Sequence, residues 1–375
     1  MHYIIVSVIL IGLVASLCAY LFREKRVSLG IIPLSMVVIL LLDILVIQVD
    51  SSMQTSCTEV WSGQIIQVNH EEEWDEWIPE KGHRDEDGNY IVDEPAHWEH
   101  HNATNKIKTT DEGWISVRKT LDGTKFTDSF VNSDEELKQY YPIGMPTAST
   151  HTYKNKVQAA ASSSLYKHDD INVKDYNLPS YPLDKNKYLS IDRIIGEIPN
   201  KEESLKVLDK YNTLLNDTNN PNNLDGTKSY KQVNLIFVNL GDVTDDYGFA
   251  LEEYWKGGNK NDFIVAFGSR DNKVTWCYPI TWSEVEILKS EVRDYMLDNS
   301  DLNNFPTVIE NVSKTVEDKF KRKEFADFDY LQIEPRTGAL VVLGVLNILF
   351  SIFIFAISSC WDEIENKKYH RRSRW

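Results

Sequence analysis

The residues best placed to do chemistry are acidic or histidine. Asp242, Asp245 and Asp246 follow directly on the apolar run Val233–Leu240. Carboxylates just past a strand end suit a hard divalent cation. Asp245 and Asp246 equally suit the first turn of a helix, where negative charge offsets the dipole. A second group lies between His70 and His101, where Trp74, Trp77 and Trp98 stand among five histidines and many carboxylates. His97, His100 and His101, with Glu99, offer imidazoles and a carboxylate to zinc, although their spacing matches no standard zinc motif. The alternative is an exposed acidic hairpin whose tryptophans pack locally. Within the same stretch, His83 to Glu94 carries Asp, Asp, Gly and Glu at the third, fifth, sixth and twelfth positions of a calcium loop. The first position is His83, and Asp87-Gly88-Asn89 reads more simply as a hairpin turn feeding Tyr90-Ile91-Val92.

Other catalytic groupings are missing. The chain has no P-loop, G-x-S-x-G elbow, H-E-x-x-H pair or dinucleotide fingerprint. After His168 the next histidine is His370, which excludes a histidine general base from the stretch between them.

Periodicity predicts the strands and helices that carry these groups. Glu59–Val68, Trp114–Thr120 and His151–Ala159 read as strands, with Asp122-Gly123 as a hairpin turn after the second. Residues 162–182 read as a long irregular connection. From about Pro199 helix and strand alternate. Leu205, Leu208, Tyr211, Leu214 and Leu215 fall at helical steps after Lys201. Val233–Leu240 and Asp262–Gly268 are apolar strands with a helix over 245–255 between them, and Val274–Tyr278 pairs back as a hairpin. Two further helices carry Val285, Leu288, Val292, Met296 and Val308, Val312, Val316, Phe320 on their apolar faces. Strands separated by helices predict a layered α/β unit.

Three long apolar stretches, residues 3–22, 29–49 and 338–360, are each long enough to cross a bilayer. Met1-His2 lacks the positive charge of a signal peptide, so the first is read as a span. Arg23, Lys25 and Arg26 lie between the first two, and Lys367, Lys368, Arg371, Arg372 and Arg374 follow the third. Basic residues near span ends stay in the cytoplasm. The large intervening region is then non-cytoplasmic and the tail cytoplasmic. Asp43 and Asn347 are polar residues at matching depths of the second and third spans, close enough to pair. The fold class expected is α+β: three transmembrane helices with a β-rich part (50–195), an α/β part (196–330) and a basic tail (361–375).

The chain carries a net charge of −17, and residues 49–360 hold 32 basic against 52 acidic residues. Such a surface repels nucleic acid and anionic lipid headgroups. The expected surroundings are a bilayer and a membrane or envelope protein partner. Cys57 and Cys277 fall in the outer region, where a disulfide between them and two separate thiols are both open readings.

Residues 200–325 resemble the TPM domain. The resemblance is carried by Val233–Gly241, Tyr247–Ala250 with Trp255, Gly257-Gly258, Asn261-Asp262 with Phe263–Phe267, and Asp271–Val274. Phe263 stands where that family has glycine after Asn-Asp. The resemblance implies phosphatase activity and divalent-cation binding (Ca²⁺, Mg²⁺, Mn²⁺ or Zn²⁺) by carboxylates at strand ends, here Asp242, Asp245, Asp246, Asp262 and Asp271. The whole chain also looks like a family of membrane proteins of large tailed bacteriophages, through Glu59–Gln64, Thr150–Ala159 and the 233–278 core. That likeness implies a bacterial inner membrane, and a metal-binding region at 70–105 that is cysteine-rich in the family and rich in histidine and acid here. Two functions are expected from these readings: a membrane-tethered binding or scaffolding protein, and a metal-dependent phosphohydrolase.

Overall fold

A computed structural model describes residues 2–21, 25–118, 131–160, 165–182, 191–224 and 230–372; over 25–32 and 358–372 the description is of backbone alone. The chain opens with helices α1 (His2–Leu21) and α2 (Lys25–Thr55), then strands β1 (Ser56–Glu71), β2 (Trp74–Ile78), β3 (Lys81–Arg84), β4 (Tyr90–Glu94), β5 (His97–His101), β6 (Thr104–Thr109) and β7 (Gly113–Ser116). Helix α3 (Asp134–Tyr140), strand β8 (Pro146–Lys154), the single turn α4 (Lys156–Ala159), strand β9 (Ile194–Ile195), helix α5 (Lys201–Asn216) and strand β10 (Asn234–Asn239) follow. Next come α6 (Asp246–Tyr254), β11 (Asp262–Arg270), β12 (Lys273–Thr281), α7 (Ile287–Asp298), α8 (Phe305–Lys319) and α9 (Thr337–Arg372). The fold is therefore mixed α+β.

The chain divides into two units. The first comprises residues 1–56, 154–163 and 326–375, and gathers α1, α2, α4 and α9. Pro33–Thr55 of α2 and Thr337–Ile357 of α9 are long and apolar enough to cross a membrane, while the apolar run of α1, Tyr3–Cys18, is shorter. Helix α2 continues past the expected end at residue 49. Asp50 holds that last turn to the start of α9, accepting from the Arg336 backbone N–H at 3.0 Å and from its Nε at 2.7 Å.

The second unit comprises residues 57–153 and 164–325, so it takes in both the β-rich and the α/β parts. Its first sheet has the order β7-β6-β1-β8, and its second β12-β11-β10-β9. In the second sheet β10 runs parallel to β9 and β11, and β12 is antiparallel to β11. Helix α6 makes the crossover that a parallel β10–β11 pair requires. Side chains alternate across this sheet. Leu235, Phe237, Phe263, Val265 and Phe267 enter one core with α5, α7 and α8; Ile236, Val238, Ile264 and Ala266 enter the other with Leu251 and Trp255 of α6. Both faces are covered, which is why these strands read as unbroken apolar runs.

Two strands end before their expected bounds, and the first, expected over 114–120, is strand only to Ser116. The pattern 151–159 is strand only to Lys154, and Lys156–Ala159 is a helical turn. Asn155 makes the switch, because its side chain accepts from the Gln158 N–H and caps the turn. The expected turn at 121–124 lies outside the described residues.

Candidate functional site

A buried polar network sits at the amino ends of β10 and β11. Helix α6 ends on Lys256, Gly257 and Gly258, all with positive φ. At Gly258 a Cβ would lie 2.8 Å from Ile264 Cδ1 and 3.0 Å from Asp262 Oδ2, so the turn needs glycine for space as well as for φ. This tight corner delivers the Asn259 N–H to Asp262 Oδ2 at 2.7 Å. The Tyr181 hydroxyl donates to the same carboxylate at 2.9 Å and Asn234 Nδ2 at 2.9 Å. Fully buried Arg193 donates from Nε to Asn234 Oδ1 at 2.6 Å. Burial pushes the Asp262 carboxyl up to about 6, against the pull of its donors. The same burial, reinforced by Asp262, drives the Tyr181 hydroxyl well above its ordinary value.

The network continues into the first sheet. Asn261 Nδ2 donates to the Val60 carbonyl at 2.7 Å, and Tyr153 links Asn259 and Lys260 through its hydroxyl. Glu59 of β1 is almost wholly buried and takes both oxygens to Arg322 Nη2 at 2.6 Å. Trp61 Nε1 also donates to Glu59, and Lys260 Nζ lies 3.8 Å from it. Arg322 donates in addition to Gln232. Burial lowers the Lys260 ammonium, whose Nζ sits 4.7 Å above the Tyr153 ring. This is a seam joining two sheets rather than an open cleft.

The carboxylates proposed to share a cation are separated by the sheet. Asp262 pairs with Asn234, at the amino end of β10, whereas Asp242, Asp245 and Asp246 follow its carboxyl end. Five strand steps, about 17 Å, lie between the two ends. Both oxygens of Asp262 are already taken by donors. Asp242 is exposed and gripped by Arg270 at 2.7 Å, which holds its carboxyl below the usual range. Asp246 accepts from Thr244 and from the Tyr176 hydroxyl, and both hydrogen bonds lower it. Asp245 stands at the N-cap of α6, and Asp271 lies in the β11–β12 turn with φ 53°. Asp262 therefore shares no cation with Asp242, Asp245 or Asp246, and no group of three or more His, Cys, Asp or Glu able to hold a metal occurs among the described residues.

The histidines of β5 are likewise spread. Strand pairing sets Trp74 opposite His101, Asp75 opposite His100 and Ile78 opposite His97. Successive residues of a strand face opposite sides, so His100 points away from His97 and His101. Each has its own neighbour: His100 Nδ1 meets Asp75 at 2.7 Å, His101 Nε2 meets Glu76 at 3.1 Å, and His97 Nδ1 meets the Pro95 carbonyl at 2.9 Å. The calcium-like stretch is the β3–β4 hairpin, in which Asp85 accepts from the Asp87 and Asn89 N–H groups across a turn with Gly88 at φ 85°.

Ser149 Oγ donates to Asp111 at 2.6 Å and lies 3.1 Å from His151 Nε2. The order is Asp–Ser–His. The carboxylate therefore does not orient the imidazole, as a nucleophile-activating triad requires. Burial also lowers His151.

No disulfide joins Cys57 and Cys277. Cys57 is half-buried at the start of β1, and Cys277 lies in the core beside α7. Burial raises the Cys277 thiol strongly, which suppresses its reactive thiolate. A maleimide is expected to leave Cys277 unmodified in the native chain and to label it on denaturation, read by peptide mass. Recovery of a Cys57–Cys277 peptide under non-reducing conditions would refute this.

In the helical unit Asp43 is fully enclosed, with Ser7 and Asn347 beside it. Ser7 Oγ donates to Asn347 Oδ1 at 2.6 Å, tying α1 to α9. No local pattern marked Ser7, Tyr181, Arg193 or Arg322, since each reaches its partner across a long chain separation. Only Gly257-Gly258 and Asn261-Asp262 marked the corner.

Comparison with protein families, with curated proteins and with solved structures finds no match.

Proposed function

We propose that this is a membrane-anchored binding or scaffolding protein that presents a large acidic, non-cytoplasmic unit to an envelope or membrane protein. In this reading α1 is a third span beside α2 and α9, and the basic residues between α1 and α2 and after α9 stay in the cytoplasm. The bilayer is a bacterial inner membrane, the 200–325 region is TPM-like, and the chain is one of the phage membrane proteins it resembles. One observation carries the binding function: strands β2–β5 hold Trp74, Trp77 and Trp98 half or more exposed. Exposed aromatic clusters of this kind mark interaction surfaces.

The test is site-specific photocrosslinking of the full chain in bacterial membranes. A benzoylphenylalanine at Trp98 should give a discrete protein adduct, absent when the probe replaces Tyr254 on α6. Equal adducts, or none, would sink the binding reading. The competing phosphohydrolase predicts metal-stimulated hydrolysis of p-nitrophenyl phosphate that Asp242→Ala and Asp262→Ala abolish. The expected result is no such turnover, because those carboxylates stand at opposite ends of the sheet.

A further inference from the structure

Resting on the binding reading above, we propose that the β2–β5 arm docks an extended, lysine- or arginine-rich segment of a partner protein, which adds to an open edge of the arm as a third strand. The arm runs from Trp74 to His101 as two ribbons, β2 with β5 and β3 with β4, each of two strands among the described residues. Among the described residues every strand of it thus has one edge whose N–H and C=O groups lack a neighbouring strand, the template for strand addition.

Both faces of the arm are in water. Trp77 and Trp98 share one face, 5.2 Å apart and 50% and 66% exposed. Trp74 stacks on His101 at 4.2 Å on the other and is 53% exposed. At the tip Tyr90, Ile91 and Val92 are exposed in succession. A two-stranded ribbon with no core behind it is marginal in water, and these side chains gain from a third layer or strand.

Charge selects the occupant. Residues 74–101 hold nine carboxylates against Lys81 and Arg84, a net of −7. Lys81 is already bonded to Glu94 at 2.9 Å, and Arg84 donates to the Gly88 carbonyl at 2.9 Å. A second copy of the arm, a nucleic acid and an anionic bilayer would all meet like charge. A cationic strand finds carboxylates along the ribbon and tryptophan faces for its ammonium or guanidinium groups.

The probe is a fluorescent decapeptide of alternating Lys and Val, added to the full chain in phosphatidylcholine nanodiscs and followed by anisotropy. Binding should weaken about tenfold or more in Trp77→Ala/Trp98→Ala, the loss expected of anchoring aromatics. It should weaken again from low to high salt, as charge attraction is screened. N-methylation of every backbone amide should abolish it, since alternate amides face opposite edges and strand addition needs the donors of one of them. Glu99→Lys, on the surface of the arm, gives a second variant that keeps the tryptophans and should also weaken binding. Equal affinity of the N-methylated peptide, equal affinity of both variants, or binding of a Glu-Val peptide or of phosphatidylglycerol vesicles would overturn the proposal. If the peptide fails while the Trp98 photoadduct persists, the cationic-strand proposal falls and the binding function stands. If both fail, both fall.

Discussion

Arg322→Ala is expected to destabilise the second unit by about 3–5 kcal/mol, the usual cost of stranding one partner of a buried ion pair. Glu59 keeps only 3% of its side chain exposed, and Arg322 supplies two hydrogen bonds to it at 2.6 Å. Removing the guanidinium leaves a carboxylate on β1 with the Trp61 indole and a Lys260 ammonium 3.8 Å away. The Gln232 side chain loses its donor as well. For a unit of this size the loss corresponds to a drop in melting temperature of roughly 6–15 °C, read from tryptophan fluorescence of the full chain in detergent. A control isolates the cause. Glu59→Gln with Arg322→Ala removes the orphaned charge and should recover a good part of the loss. If the double variant melts no higher than Arg322→Ala, the stranded carboxylate is not the reason.

The second large effect is a pH dependence centred on Asp262. Its folded value, pushed up to about 6, lies above the unfolded value of an ordinary aspartate. Between those values the folded state holds a proton that the unfolded state has lost. Stability from this group is therefore fully present on the acid side and disappears as pH rises through about 6. The sign is opposite to that of Asp242 and Asp246, whose lowered values favour the folded state at higher pH. His151, lowered by burial, also acts in the reverse sense over part of the same window. A difference measurement removes these shared contributions. The stability of the wild type minus that of Asp262→Asn should increase by about 2 kcal/mol between pH 7 and pH 4.5. A pH-independent difference would mean that Asp262 keeps an ordinary affinity for its proton.

Both effects arise at the seam, and the seam explains why so little of it was legible in advance. Gly257-Gly258 and Asn261-Asp262 signalled a sharp corner before a strand. Asp262 then looked like a metal ligand, because a carboxylate beside a strand end is the usual place for one. Its hydrogen-bond partners could not be read in the same way. Tyr181 and Asn234 are 81 and 28 residues away in sequence, and they fill the carboxylate's acceptor sites with protein donors. Arg322 meets Glu59 across 263 residues.

The local elements were written in the residues of each segment. Apolar runs of span length set α2 and α9, and steps of three and four residues set α5, α7 and α8. Unbroken apolar runs set β10 and β11. These patterns are local because a helix or a doubly covered strand records its burial in its own residues. Packing between distant segments set which end of the sheet each aspartate occupies, which face each histidine of β5 takes, and that Cys57 and Cys277 form no disulfide. Strand direction and register are set by partners distant along the chain, and a difference of one residue in register turns every side chain to the opposite face.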